Sequence, residues 1–113
     1  MVKEQPVPRP IKKSESTIIC ASRQAEIGWR NLRATQRNAL ADAWDFLTRT
    51  PVTVTPTNYP LKGTLGEVRR NGVSHTRWQH KPTLGGTARI WFFVEGSKVF
   101  LEQVHTSHPS ATD

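Results

Sequence analysis

The chain has 113 residues, 16 Lys and Arg against 9 Asp and Glu, and a formal charge of +7. That length suits one domain around one core, and the single cysteine, Cys20, excludes an internal disulfide and a cysteine-based zinc site. No apolar run approaches the roughly 18 residues of a membrane span, and the first residues lack the apolar stretch of a secretory leader, so a cytoplasmic protein is expected.

Residues 1–13 hold Pro6, Pro8 and Pro10 among scattered lysines and are expected to form a flexible basic arm, with a single domain over residues 14–113. The β-branched run at 16–21 (STIICA) predicts a strand. Ser22 is a helix cap, and residues 23–34 predict a helix whose apolar members are Ile27, Trp29 and Leu32. Gly28 weakens its middle by up to ~1 kcal/mol relative to alanine. Thr35 is the next cap candidate, and residues 36–48 predict a stronger helix. There Leu40, Ala43, Trp44 and Leu47 recur at i, i+3, i+4 and i+7, which assigns Trp44 to the core. Pro51 ends this helix.

Residues 51–66, rich in Pro, Thr and Gly, read as loop. Residues 73–81 (VSHTRWQHK) alternate as a strand does. Val73, His75, Arg77 and Gln79 share one face; Ser74, Thr76, Trp78 and His80 share the other. Gly85-Gly86 supplies a turn. The run 88–95 (ARIWFFVE) is the strongest strand signal, Gly96-Ser97 suits a two-residue hairpin turn, and 98–106 returns. The predicted class is α+β: an N-terminal strand, a two-helix hairpin, then a three-stranded antiparallel meander, with the helices on one face of a small curved sheet. The other face is left open. If the first strand joins this sheet, a four-stranded mixed sheet results.

The charge is not uniform. Residues 1–13 carry +3 and residues 61–90 carry +5, whereas 14–60 carry +1 and 91–113 carry −2. Such concentration implies a polyanion or an acidic protein as partner.

Four stretches in order, GWRNL (28–32), RNALADAWDFLTRTP (37–51), PLKG (60–63) and ARIWFFVEGSKVFLEQVHTSHP (88–109), resemble the RelE/ParE superfamily of toxin–antitoxin toxins. The resemblance spans residues 16–109. It implies a compact cytoplasmic toxin neutralised by a cognate acidic antitoxin. RelE-like members cleave mRNA, usually on the ribosome, without metal or other cofactor. ParE-like members bind DNA gyrase and are not nucleases. A basic nucleic-acid-binding protein without catalysis is the third reading.

Metal-free RNA cleavage uses the substrate's 2′-hydroxyl as nucleophile and leaves a 2′,3′-cyclic phosphate. It needs a base, a cation for the phosphorane, and an acid or second cation for the leaving 5′-oxygen. The resemblance makes Arg89 the phosphorane clamp, because its fork matches phosphate oxygens. His75 and Arg77 stand where relatives carry groups that hold RNA or act as base. His105 is the expected acid, with His108 second or as a phosphate contact. Lys62, Arg69, Arg70 and Lys81 would form a phosphate-binding rim. The sole tyrosine is Tyr59, so the family's C-terminal tyrosine is absent and Trp91 or Trp78 is expected to stack a base. His105 and His108 lack a third ligand nearby, so no metal is expected. These groups favour the nuclease branch.

Overall fold

The computed structural model describes residues 3–107. In chain order they form β1 (Thr17–Cys20), α1 (Arg23–Thr35), α2 (Arg37–Arg49), β2 (Asn58–Pro60), a 3₁₀ turn (Gly63–Gly66), β3 (Glu67–Arg70), β4 (Val73–Thr76), β5 (Trp78–His80), β6 (Arg89–Glu95) and β7 (Lys98–His105). Five strands make one sheet in the order β1-β7-β6-β5-β2, and β3 pairs only with β4. The first strand lies parallel to the last, β7. The α+β class and the meander are as the sequence predicts, with more strands than expected.

Two departures have local causes. The segment 51–66 is not all loop: β2 adds an edge strand beside β5, where Pro60 is tolerated at the strand end. The segment 73–81 is not one strand. It splits at Arg77, so that β4 pairs with β3 while β5 pairs with β2 and β6. Asn71 and Gly72 close the β3–β4 hairpin with φ of 51° and 78°, as a type I′ turn requires. Glu95 faces Lys98 across the expected Gly96-Ser97 turn.

Ser22 caps α1, accepting from the Ala25 amide at 3.0 Å, a contact of about 1 kcal/mol. Thr35 caps nothing; it lies inside α1 and donates to the Asn31 carbonyl. Ala25, Leu32, Leu40, Ala43 and Leu47 pack on Ile90, Phe92, Val99, Leu101 and Val104. Gly28 lies against Val104, where an added Cβ would sit 2.8 Å from the Val104 Cβ and collide with its carbonyl oxygen. The small residues Ala25 and Gly28 thus let α1 settle onto β7, which turns Ile27 outward at 40% exposure. Trp44 is not core either, at 37% exposure. The buried stripe of α2 is narrower than its periodicity implied, and Trp44 meets Trp29 edge-on at 6.0 Å on the outer side of the helix pair.

His80 closes the core's far edge. It stacks on Phe46 at 5.1 Å, and its Nδ1 lies 3.2 Å from Asn58 Oδ1. Asn58 in turn donates to the Pro51 and Thr53 carbonyls, pinning the loop before β2. Burial lowers the His80 pKa from 6.5 to about 4. The unfolded chain therefore takes up this proton first as pH falls. Stability is whole above 6.5 and drops toward pH 4 by on the order of 3 kcal/mol. Urea midpoints between pH 7 and 4.5 check this, and His80→Gln should remove most of the slope. An equally steep slope in that variant would exclude His80 as its source.

Residues 3–12 carry no regular secondary structure. Arg9 reaches Glu15 at 3.2 Å, and the Glu15 side chain is 4% exposed. No helix of the described residues is long and apolar enough to cross a membrane.

Candidate functional site

Strand parity decides which side chains leave the core. Ile90, Phe92 and Val94 of β6 pack toward the helices, so Arg89, Trp91 and Phe93 face the opposite, open side. On β5, Trp78 stacks on Phe92 and His80 on Phe46, which turns Gln79 to the open side. This is the parity the sequence predicts. The Gln79 carbonyl accepts from Trp91 Nε1 at 2.9 Å, and its amide donates to the Tyr59 hydroxyl at 2.8 Å.

One row of charged and titratable groups crosses this face. Arg89 and His105 are direct partners on β6 and β7. His80 pairs with Ile90, so Lys81, one step on, stands opposite Arg89. The Lys81 ammonium lies 5.4 Å over the Tyr59 ring, which puts Lys81 on the open side as well. The row is thus Lys81, Arg89, His105, with neighbouring strands about 5 Å apart. The next row is Tyr59, Gln79, Trp91 and Gln103.

A β-bulge brings His105 into this row. Trp91 pairs with Gln103 but Phe92 pairs with Leu101, so Glu102 is the extra residue. In a regular strand His105 would share the helix-facing side with Val99 and Leu101. The bulge reverses the phase: Val104 enters the core, while Glu102, Gln103 and His105 face the open side. Helix α1 anchors the altered path. Ser22 Oγ donates to the Glu102 carbonyl at 2.7 Å, and the Gln24 amide brackets the Val104 backbone, donating to its carbonyl and accepting from its N–H.

The row can bind an oxyanion and move a proton. Arg89 is 7% exposed. Its Nη1 donates to the Gly86 and Ala88 carbonyls at 2.9 and 2.8 Å, and its buried Nε has no partner. A guanidinium fixed through Nη1 keeps its Nη2 donors for an anion, whereas Nε is closed off from solvent. His105 Nε2 lies 2.7 Å from Gln103 Oε1, and its ring meets Trp91 edge-on at 5.4 Å. Burial lowers the His105 pKa below the ordinary imidazole value. Burial thus favours the neutral ring, in which Nε2–H donates to Gln103 Oε1 and Nδ1 makes no hydrogen bond to the described residues.

No family model matches this chain, and no curated protein matches it. Among solved structures it is similar to a YoeB/ParE toxin from Agrobacterium tumefaciens, with a TM-score of 0.58 and 16% identity, over 82% of this chain and 99% of that one. The chain has the fold of a YoeB/ParE toxin. The resemblance drawn from the four sequence stretches thus holds at the level of the fold.

Within this YoeB/ParE-type fold the other predicted residues are scattered. Arg77 is committed internally: Nη1 donates to the Leu65 carbonyl at 3.0 Å, Nη2 pairs with Glu102 at 2.9 Å, and the guanidinium lies 5.3 Å over Trp91. It clamps the 3₁₀ turn to the sheet. His75 stands at the opposite end of β6 from Arg89, against Phe93 at 5.0 Å, with Nε2 3.0 Å from Glu95. Four residues of strand, about 13 Å, separate it from the row. Trp91 is 4% exposed, covered by Arg77 and His105, so it braces the face and presents no ring for a base. Trp78 lies on the helix side.

The predicted rim divides in the same way. Arg70 lies 4.0 Å over Phe100, beneath the β3–β4 hairpin. Arg69 donates to the Gly72 carbonyl across the hairpin turn. Lys62 is exposed beside the 3₁₀ turn, and Lys81 joins the row itself. His108 lies outside the described residues. Among those described, no three His, Cys, Asp or Glu side chains converge as metal ligands.

Sequence reasoning missed Tyr59, Gln79 and Glu102. Tyr59 was hidden because three residues ending in proline are too short to register as a strand. The Asn71-Gly72 pair, a strong hairpin signal, would have revealed β3.

Proposed function

We propose that this protein is the toxin of a type II toxin–antitoxin system and a metal-independent endoribonuclease that cuts mRNA on the ribosome in the cytoplasm. A cognate acidic antitoxin would cover the same basic face, its carboxylates replacing phosphates. The observation that carries the reading is the Lys81–Arg89–His105 row, in which a fork-shaped cation stands beside an imidazole whose pKa burial lowers and whose Nδ1 has no hydrogen bond among the described residues. A protein that only binds gyrase needs no such pairing.

In this reading His105 is the base rather than the acid that the sequence suggested. Its Nδ1 takes the 2′-OH proton, the 2′-oxygen attacks phosphorus, and Arg89 holds the non-bridging oxygens as charge builds. Lys81 adds a second cation at the phosphate. The bond to the 5′-oxygen then breaks, leaving a 2′,3′-cyclic phosphate and a 5′-hydroxyl.

Expression without the antitoxin should arrest growth, and primer extension should map cuts within translated mRNA. Inhibition of gyrase supercoiling without cuts would establish the ParE-like alternative instead. The assignment of His105 has its own check. A base must be unprotonated, so cleavage should be lost on acidification, through an apparent pKa below the ordinary 6.5 of histidine. A His105 acting as acid would give the reverse, with activity lost as pH rises.

A further inference from the structure

We infer that Tyr59 is the proton donor to the leaving 5′-oxygen; this rests on the nuclease reading above. Trp91 sets the direction of the hydrogen bonds beneath Tyr59. An indole N–H can only donate, so the Gln79 atom facing it at 2.9 Å must be the carbonyl oxygen. That leaves no freedom to flip the Gln79 side chain, and its NH₂ must face Tyr59, at 2.8 Å. The Tyr59 oxygen therefore accepts, and its own proton is turned away from the buried network, toward the open face. Gln79 is 2% exposed, so water does not compete for this arrangement.

The position fits the chemistry. In the sheet order β7-β6-β5-β2, His105 and Tyr59 lie on opposite flanks of Arg89. In-line displacement needs the base and the acid on opposite sides of phosphorus. Both side chains lean inward: the His105 ring lies against Trp91 of β6, and the Tyr59 hydroxyl is drawn over β5 by Gln79. Three strand spacings, about 14 Å, separate the two backbones, and these inward leans narrow that span. Lys81 over the Tyr59 ring places positive charge where a phenolate would form.

The step balances. His105 Nδ1 takes the 2′-OH proton as the 2′-oxygen bonds to phosphorus. The P–O5′ bond breaks with its electron pair on O5′, which takes the Tyr59 proton and leaves as a hydroxyl. Tyr59 is left as a phenolate that accepts from Gln79, and solvent returns the imidazolium proton to it.

The test compares wild type, Tyr59→Phe and Gln79→Glu in single-turnover cleavage of mRNA on programmed ribosomes. At the mapped cut site the bridging 5′-oxygen is either natural or replaced by sulfur, which leaves as a thiolate without needing a proton. Tyr59→Phe should slow the natural linkage at least about a hundredfold yet cut the sulfur linkage within about threefold of wild type. Gln79→Glu should do the same, because its carboxylate accepts from both neighbours and turns the Tyr59 proton inward. Equal slowing on both linkages, or cutting of the natural linkage at the wild-type rate by either variant, overturns the assignment to Tyr59. A wild type that cuts neither linkage overturns the nuclease reading and this inference with it.

Discussion

Arg89→Ala should lower the rate of RNA cleavage by about a hundredfold to a thousandfold and release growth arrest. That is the usual loss when one donor to a developing oxyanion is removed. Arg89 holds its place in the centre of the sheet through two carbonyls, on Gly86 and Ala88. Both carbonyls lie just before β6, and although Ala88 itself packs in the core its side chain is untouched by the change, so the variant should still fold. A circular-dichroism melt within a few degrees of wild type, together with lost cleavage in primer extension, is the expected pair of results. Arg89→Lys keeps the charge but loses the fork and should fall between. Undiminished cleavage by Arg89→Ala would remove Arg89 from the chemistry and with it the central support for the row.

Gly28→Ala should be strongly destabilising although it adds a single methyl. Helix propensity alone predicts a gain of about 1 kcal/mol from this change. Packing predicts the opposite. The new Cβ would collide with the Val104 carbonyl and sit 2.8 Å from the Val104 Cβ, and neither a strand backbone nor a Cβ can swing aside. Moving α1 off β7 would loosen the core and also the Ser22 and Gln24 bonds that hold the bulge. A loss of about 3 kcal/mol is expected, readable as a lower urea midpoint. Stabilisation would mean that α1 does not approach β7 this closely. A partial loss should also disturb His105, since its phase depends on the same segment.

The two predictions differ in how far the sequence foresees them. Arg89 was legible because alternation in ARIWFFVE sorts its side chains into two sets. The helices take the set containing Ile90, Phe92 and Val94 because it carries no polar atom. The same parity placed Gln79 and His80 on opposite faces. Helix spans were legible to within a residue, since Ser22 and Pro51 punctuate them. Trp44 was not, because an apolar stripe says which side of a helix is hydrophobic but not how much of it the sheet can cover. Basic charge was legible as a total and as segments. Its use was not: Arg77 is spent on Glu102 and Leu65, and Arg70 on Phe100.

The residues alone thus settled the class, the helix pair and the open face, because these follow from periods of 3.6 and 2 and from which groups water will not release. They did not settle which histidine joins Arg89. Counted by twos from Val99, His105 belongs in the core. It reaches the open face only because Glu102 is extruded from the ladder, held by Ser22 on its carbonyl and Arg77 on its carboxylate. Those partners lie 80 and 25 residues away along the chain. A bulge stabilised at such range leaves no local signal, since a one-residue shift in phase is invisible until the elements that stabilise it are packed in place.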